Sequence, residues 1–165
     1  MNNNLATKLG EALLKRNYYL VSAESCTGGW IAEAVTAIAG SSAWFERGFV
    51  TYSNASKQEL LNVKAETLMK YGAVSEETAL EMVIGALNNS HAQVGVAVTG
   101  IAGPSGGSPD KPVGTVWIAY AFPQQVFAKC YYFQGNRSEI REQTVITALE
   151  TLLDLSGLYS QLKTL

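Results

Sequence analysis

The sequence is poor in the residues that most often build metal and redox sites. Among its 165 residues there are two cysteines, Cys26 and Cys130, and one histidine, His91. The cysteines lie far apart and in no metal-ligand spacing, so we expect free thiols and neither a disulfide framework nor a thiolate zinc site. One histidine excludes a zinc site with two or more histidines, and a Ser–His–Asp triad would have to use His91. A hydroxyl nucleophile in this chain therefore needs a different base.

Charged residues and long apolar runs are also scarce. Charged residues make up 16% of the chain, and the formal net charge is −2 at pH 7. They form no basic stripe of the kind that neutralises phosphates along a duplex, so we do not expect nucleic acid as a partner. No apolar run is long enough to span a bilayer, and the polar first residues lack the layout of a secretory signal. We therefore expect a cytoplasmic protein without a membrane segment.

The length and the 47% hydrophobic content are sufficient for one domain with a full core and too small for two domains of ordinary size. We predict that residues 1–165 form a single domain. The same apolar content in a short chain is compatible with a homodimer or a larger assembly. We expect a homo-oligomer.

The order of apolar patterns predicts an α/β fold. Helical segments are predicted over residues 5–16, 29–39, 56–71, 75–89 and 137–155, and strands over residues 18–23, 45–52, 94–99, 114–122 and 126–133. Ser75 is the predicted N-cap of the segment over residues 75–89. Mixed alternation of this kind favours a three-layer α/β/α sandwich, with a mixed sheet that is covered by helices on both faces.

The segment SAESCTGG, residues 22–29, is the most informative stretch, because it places hydroxyls and a thiol at a predicted strand-to-helix junction. Such a turn exposes a side chain at the top of a sheet and directs free backbone N–H groups toward it. Ser25 is the first candidate nucleophile, and an N-cap role for it is about equally compatible with the spacing. Cys26 is the second candidate, since most cysteines are buried and inert. Glu24 is a candidate acceptor for nearby backbone amides.

A second polar cluster follows the predicted strand over residues 45–52. It contains Tyr52, Asn54 and Lys57, and a glycine- and proline-rich loop begins later in the chain at Gly100. Because sites in open α/β sheets gather beyond the carboxyl ends of the strands, we expect this cluster, the Ser25 turn and that loop to converge. A lysine that is desolvated in such a cleft serves as a general base for serine. A solvated surface lysine, and a packed strand end for Tyr52, are the alternatives.

Two arginines lie one turn apart at the start of the last predicted helix. A helix N-terminus disfavours cations unless an anion neutralises them, so Arg137 and Arg141 hint at a phosphate or carboxylate ligand. Local pairing with Glu139 and Glu142 is an equally good interpretation of the spacing.

Taken together, six short motifs resemble the CinA C-terminal domain family, whose stand-alone members are nicotinamide-nucleotide amidohydrolases. In order along the chain they are AESCTGG (residues 23–29), GSS (40–42), GFVTYSN (48–54), GAVS (72–75), TGIAGP (99–104) and PVGTV (112–116). The match runs over nearly the whole chain. The resemblance implies hydrolysis of the carboxamide of nicotinamide mononucleotide to nicotinate mononucleotide and ammonia, a step of pyridine-nucleotide salvage. It implies no metal and no organic cofactor.

The resemblance also assigns roles to residues. Ser25 corresponds to the nucleophile and Lys57 to the base that activates it, while Tyr52 is grouped with them without a defined role. The backbone N–H groups of Cys26 and Thr27 are our candidates for the oxyanion hole. We expect the substrate to be bound by Cys26, Thr27, Gly28, Gly29, Ser42, Asn54, Thr99, Gly100, Ala102, Gly103 and Arg137, with Arg137 at the phosphate.

A function of a different class is also compatible with the resemblance. The family has a historical link with competence and DNA-damage induction, so the same cleft in a non-catalytic module would bind a nucleotide for regulation. A third possibility is an amidohydrolase with a different amide substrate.

Overall fold

The computed structural model describes the backbone of residues 3–161 and the side chains of residues 4–157. Six α-helices accompany five strands in the described part of the chain. The helices are α1 (Asn3–Leu14), α2 (Trp30–Thr36), α3 (Asn54–Leu61), α4 (Ala65–Tyr71), α5 (Glu76–Asn88) and α6 (Arg137–Gln161). The strands are β1 (Leu20–Glu24), β2 (Phe45–Val50), β3 (Val94–Gly100), β4 (Thr115–Phe122) and β5 (Gln125–Tyr132), and a short 3₁₀ helix, Ser41–Ala43, precedes β2.

The five strands form one mixed sheet in the order β2-β1-β3-β4-β5. Strand β1 pairs in parallel with β2 and with β3, whereas β3 with β4 and β4 with β5 are antiparallel. The carboxyl ends of β1, β2 and β3 therefore lie at one edge of the sheet. The antiparallel β5 also ends at this edge, so α6 begins beside the three parallel strand ends.

Helices cover both faces of the sheet, and the two faces have separate apolar clusters. On one face, side chains of α1, α2 and α6, among them Leu9, Ile31 and Leu149, pack against the β-strands. On the other face, α3 and α5 contribute Leu61 and Met82. The central strands β1 and β3 are buried on both sides because each side is covered by helices. This arrangement confirms the predicted α/β fold with three layers and a mixed sheet.

Helix α6 continues to Gln161, beyond its predicted end at residue 155, and two details with a local cause also differ from the sequence prediction. The helical segment predicted over residues 56–71 is divided between α3 and α4, because Asn62 adopts a left-handed conformation with φ 56° that ends α3. Helix α3 also begins two residues earlier than predicted, since Ser53 and Ser56 form a reciprocal capping box at its start. The predicted N-cap Ser75 is confirmed, and its hydroxyl accepts from the N–H of Thr78.

Candidate active site

Ser25 is the first residue beyond the carboxyl end of β1. Its N–H donates to the carbonyl of Val98 in β3 at 3.0 Å, which fixes it at the edge of the sheet. The chain then turns into α2 through Gly28 and Gly29, whose φ angles of 62° and 101° are favourable for glycine and strained for other residues. The N-cap of α2 is Gly29, without a side-chain cap, so an N-cap role for Ser25 is wrong. Its hydroxyl remains available to the cleft.

The carboxylate of Glu24 organises the other side of this turn. One of its oxygens accepts from the hydroxyl of Thr27 at 2.7 Å and from the N–H groups of Gly29 and Ile31 at 3.1 and 2.9 Å. The other oxygen accepts from the N–H of Ala32 at 2.9 Å and, at 3.3 Å, from a serine hydroxyl in β1. Glu24 is therefore a buried anion at the N-terminus of α2, where the helix dipole favours negative charge. The predicted acceptor role is confirmed.

Lys57 extends from α3 into the space beside Ser25. Its side-chain nitrogen donates to the Ser25 hydroxyl at 2.9 Å, to the Thr51 carbonyl at 2.8 Å and, at 3.5 Å, to the Tyr52 carbonyl. The residue is only 1% exposed, so the solvated-lysine interpretation is wrong. Burial lowers the pKa of Lys57 below its ordinary value of 10.5, because the ammonium form loses its hydration. A neutral amine beside a hydroxyl is the pairing that general-base activation of serine needs.

Cys26 follows Ser25 and also borders the cleft, but its chemistry is different. Burial raises the pKa of the Cys26 thiol to about 12, so the thiolate is not available near neutral pH. Of the two candidate nucleophiles in this turn, the arrangement favours the hydroxyl.

The first residue of α6 joins the cleft from the opposite side. The guanidinium of Arg137 donates to the carbonyl of Gly103 at 2.8 Å and to the hydroxyl of Tyr52 at 3.0 Å. Local pairing of the two α6 arginines with Glu139 and Glu142 is not observed, and the Glu139 carboxylate instead accepts from the N–H of Asn136. Arg137 thus places a guanidinium group at the cleft.

These side chains surround one cavity of about 240 Å³ at the carboxyl edge of the parallel strands. Of the residues predicted from the sequence, those that line it are Ser25, Cys26, Tyr52, Asn54, Lys57, Thr99, Gly100, Ala102 and Arg137. Gly103 lies one step away, as the acceptor for Arg137. The expected convergence of the three polar segments is therefore observed.

Four predicted residues are not among those that line this cavity. Thr27 is buried against Glu24, and Gly28 and Gly29 border a separate surface depression beside Arg141 and Trp30. The glycine pair therefore has a conformational role in the turn and does not line the cleft. Ser42 is exposed in the 3₁₀ helix before the amino end of β2, at the opposite edge of the sheet. The structure does not bring it to the other site residues.

Two further residues line this region although they were not among the predicted site residues, and Arg141, which was considered with Arg137 as a partner of an anionic ligand, contacts the backbone beside it. Ala73 and Val74, in the loop before α5, line the cleft, and the Ala73 carbonyl accepts from the Thr99 hydroxyl at 2.7 Å. Arg141 contacts the backbone of the Ser25 turn from α6. Sequence signals existed for all three, since the GAVS motif contains the first two and Arg141 lies one helical turn after Arg137.

Within residues 3–161 no helix is both long enough and apolar enough to cross a membrane. In the same part of the chain no three histidine, cysteine, aspartate or glutamate side chains come together as a potential metal site.

Comparison with known proteins identifies the family of this chain. The profile of the CinA C-terminal domain matches residues 2–156. The chain belongs to the CinA C-terminal domain family. One family relative, the nicotinamide-nucleotide amidohydrolase PncC of Escherichia coli strain K12, is 51% identical over 149 residues, which cover 90% of each chain. The protein of the same name from Pseudomonas putida is 54% identical over 151 residues, which cover 92% of this chain and 94% of the relative.

Solved structures of the family have the same fold. The competence/damage inducible protein CihA from Agrobacterium tumefaciens is 50% identical and superposes with a TM-score of 0.89, covering 93% of this chain and 94% of its own. A CinA superfamily protein from Klebsiella pneumoniae is 38% identical, with a TM-score of 0.91 and coverage of 95% and 99%.

Proposed function

We propose that this protein hydrolyses the carboxamide of nicotinamide mononucleotide, giving nicotinate mononucleotide and ammonia in pyridine-nucleotide salvage. The observation that carries the proposal is the 2.9 Å contact between the Lys57 nitrogen and the Ser25 hydroxyl in a cleft that holds no histidine. The relatives named nicotinamide-nucleotide amidohydrolase support the reaction class and the substrate. Of their residues, 90% or more align with this chain, so the similarity includes the whole cleft.

In the proposed mechanism Ser25 attacks the carboxamide carbon while the neutral amine of Lys57 takes the hydroxyl proton. The oxygen of the tetrahedral intermediate becomes negative, and the backbone N–H groups of Cys26 and Thr27 stabilise it. Protonated Lys57 then gives its proton to the departing nitrogen, so that the C–N bond breaks and ammonia leaves an acyl-enzyme. Water, deprotonated by the same lysine, attacks the acyl-enzyme and releases the nicotinate product and free Ser25.

The proposed binding mode places the two ends of the substrate at different sides of the cleft. The carboxamide lies against Ser25, and Arg137 at the rim neutralises the phosphate. Asn54, Thr99, Gly100, Ala102 and Gly103 are proposed to surround the remainder of the nucleotide. Tyr52, whose hydroxyl accepts from Arg137, is proposed to orient that guanidinium. A role for Ser42 and a homo-oligomeric state remain predictions.

The test is ammonia release from nicotinamide mononucleotide by the purified protein, with and without EDTA, beside a Ser25→Ala variant. We expect release that resists the chelator and falls at least about a thousandfold in the variant. An unchanged rate in Ser25→Ala or in Lys57→Ala contradicts the mechanism. A folded protein that binds the nucleotide and releases no ammonia contradicts the activity and favours a nucleotide-binding module.

The substrate is tested separately from the mechanism. Nicotinamide, its riboside and its mononucleotide carry the same amide and differ in ribose and phosphate. We expect the highest kcat/KM for the mononucleotide, because Arg137 offers its phosphate a partner that the other two compounds cannot use. Equal kcat/KM for all three would mean that the ribose and the phosphate do not contribute to recognition. That result would favour a different amide as the substrate.

A further inference from the structure

Arg141 reaches from α6 to the backbone of the turn that carries Ser25. Its Nε donates to the carbonyl of Cys26 at 3.1 Å, and one terminal nitrogen donates to the carbonyl of Thr27 at 2.9 Å. The guanidinium also lies over the ring of Trp30, with its central carbon 5.1 Å from the ring centroid. These contacts hold the planar guanidinium in one orientation against two successive peptide groups.

The orientation of those peptide groups decides where their N–H bonds point. In a trans peptide the C=O and N–H of one unit point in opposite directions, and the peptides of this turn are trans. The unit that contains the Cys26 carbonyl also contains the N–H of Thr27. By holding that carbonyl toward α6, Arg141 therefore directs the Thr27 N–H away from α6.

The neighbouring peptide unit is held in a similar way from within the turn. The carbonyl of Ser25 accepts from the N–H of Gly28 at 3.1 Å, and the same unit contains the N–H of Cys26. The next N–H groups along the chain already have acceptors, because those of Gly29 and Ile31 donate to the Glu24 carboxylate. None of these bonds uses the N–H groups of Cys26 and Thr27. They belong to the two residues that directly follow Ser25, and the bonds described here leave them as the candidate oxyanion donors of this turn.

We infer that Arg141 is a positioning residue for the hydrolysis, which acts by holding the Thr27 N–H where the oxygen of the tetrahedral intermediate becomes negative. The inference rests on the proposed function. It gives Arg141 a role distinct from that of Arg137. Arg137 lines the cleft and is proposed to bind the phosphate, whereas Arg141 is not among the cleft-lining residues and donates to the backbone carbonyls of Cys26 and Thr27. Loss of Arg137 affects substrate binding, and loss of Arg141 affects stabilisation of the transition state.

A purely structural tether between α6 and the turn predicts a different result. It would change the stability of the protein and leave kcat of the folded fraction unaltered. A positioning residue instead lowers kcat and kcat/KM together, because the interaction that it supports exists only in the transition state. The two roles are therefore separated by measuring kcat, KM and the melting temperature of the same variants.

The experiment compares the wild-type protein with Arg141→Met and Arg141→Lys in the ammonia-release assay with nicotinamide mononucleotide. For Arg141→Met we expect kcat to fall by about 10²- to 10³-fold, as for loss of one oxyanion donor, with KM within about threefold of wild type. Arg141→Lys should retain an intermediate kcat, since an ammonium group donates to the carbonyls without the planar fork. Guanidinium ion at non-denaturing concentration should restore part of the Arg141→Met activity.

Arg47→Met is the matched control for loss of a guanidinium. Arg47 is exposed and donates to the carboxylate of Glu46 and to the Asn89 carbonyl at the opposite edge of the sheet. Its replacement should leave kcat unchanged, and added guanidinium should have no effect on that variant.

The outcomes separate this inference from the proposed function. If the wild-type protein is active and the kcat of Arg141→Met is within about threefold of the wild-type kcat, the inference is overturned and the proposed function is not. If Arg141→Met does not fold, Arg141→Lys decides: a lower kcat at unchanged KM and melting temperature supports the role, and an unchanged kcat overturns it. A wild-type protein that releases no ammonia overturns the proposed function and this inference with it.

Discussion

The side-chain nitrogen of Lys57 lies 2.9 Å from the hydroxyl oxygen of Ser25, across 32 positions of the sequence. Its other acceptors are the backbone carbonyls of Thr51 and Tyr52, so no carboxylate is among its hydrogen-bond partners. A buried ammonium group without an opposite charge loses hydration and gains little in return. This is the physical reason that burial lowers the pKa of Lys57, and it supports the proposal that the amine serves as the base for Ser25.

The first prediction concerns the pH dependence of the reaction. Because the free amine of Lys57 is the reactive form, kcat/KM should rise with pH and level off above the pKa of Lys57, at a pH below its ordinary value of 10.5. Lys57→Arg should lose about 10²- to 10⁴-fold in kcat, since arginine stays protonated throughout this range. Steady-state ammonia release across the pH range checks both. A flat profile, or an active Lys57→Arg variant, would contradict the role of Lys57.

The same pKa has a consequence for stability. The folded protein holds Lys57 at a lowered pKa, so between that value and 10.5 the unfolded chain binds more protons than the folded one. Stability therefore rises with pH across this window. Lys57→Met removes this titrating group. The wild-type protein should therefore gain stability relative to Lys57→Met as pH rises toward 10.5, as measured by the difference between their free energies of unfolding.

Urea denaturation of both proteins at a neutral and an alkaline pH measures this difference. Lys64→Met is the control, because that side chain is exposed and the same comparison should show little change with pH. A wild-type-minus-variant difference that is equal at the two pH values would show that Lys57 titrates alike in the folded and unfolded chain.

The part of the site that lies next to strand ends could be predicted from the sequence. Apolar strands followed by Ser25 and by Tyr52 are local patterns, and the rule that sites gather at the carboxyl ends of parallel strands brings them together. Lys57 follows from the same rule, because it lies near the start of α3, the helix that follows β2. These predictions needed the order of elements and no knowledge of side-chain contacts.

Other features depend on contacts between distant parts of the chain and have no local pattern. Arg141 and the Thr27 carbonyl are 114 positions apart, and only the path of β5 to the shared edge of the sheet brings α6 to that turn. The break at Asn62, by contrast, has a local signal, because asparagine adopts the left-handed conformation more readily than most residues and often ends helices. The sequence prediction continues the helix through this residue. Helix α5 lies directly against this break, where a Cβ added at Gly85 would meet the Leu61 carbonyl.

The third prediction concerns the thiol of Cys26. Since burial raises the pKa of its thiol to about 12, the thiol should resist alkylation by iodoacetamide near neutral pH in the folded protein. Cys26→Ala should retain at least about a tenth of kcat, because the variant keeps the backbone N–H that the mechanism uses. Peptide mass spectrometry of the treated protein and the ammonia assay are the measurements. Rapid alkylation of Cys26, with activity lost at the same rate, would favour a thiol nucleophile.

A further prediction concerns the hydrogen bond between Arg137 and Tyr52. If the Tyr52 hydroxyl acts by orienting Arg137, Tyr52→Phe should raise KM for nicotinamide mononucleotide by about three- to tenfold and leave kcat nearly unchanged. Arg137→Met should raise KM further and reduce the preference for the mononucleotide over the riboside. In the Arg137→Met background, Tyr52→Phe should have no added effect, because the group that it orients is absent.

The double-mutant cycle of these variants is the decisive measurement, with a coupling energy of about 0.5–1.5 kcal/mol expected between Tyr52 and Arg137. A lower kcat for Tyr52→Phe in both backgrounds would instead assign Tyr52 a direct part in proton transfer. Additive effects on KM would mean that the two side chains act independently.

The last prediction concerns the carboxylate of Glu24, which accepts hydrogen bonds on both oxygens within one turn. In Glu24→Gln one oxygen becomes an amide nitrogen that cannot accept, so the donors that it served, such as the N–H of Ala32, lose their partner. The substitution also removes negative charge from the N-terminus of α2. We expect a loss of about 2–4 kcal/mol in the free energy of unfolding, measured by urea denaturation.

Glu33→Gln is the matched control, since Glu33 lies in the first turn of the same helix and its side chain is exposed. Its replacement should change the free energy of unfolding by less than about 0.5 kcal/mol. Equal effects of the two substitutions would mean that Glu24 acts only through its charge near the helix dipole. A much larger effect of Glu24→Gln means that the bonds to individual N–H groups stabilise the turn, because both variants remove one negative charge from the same end of α2.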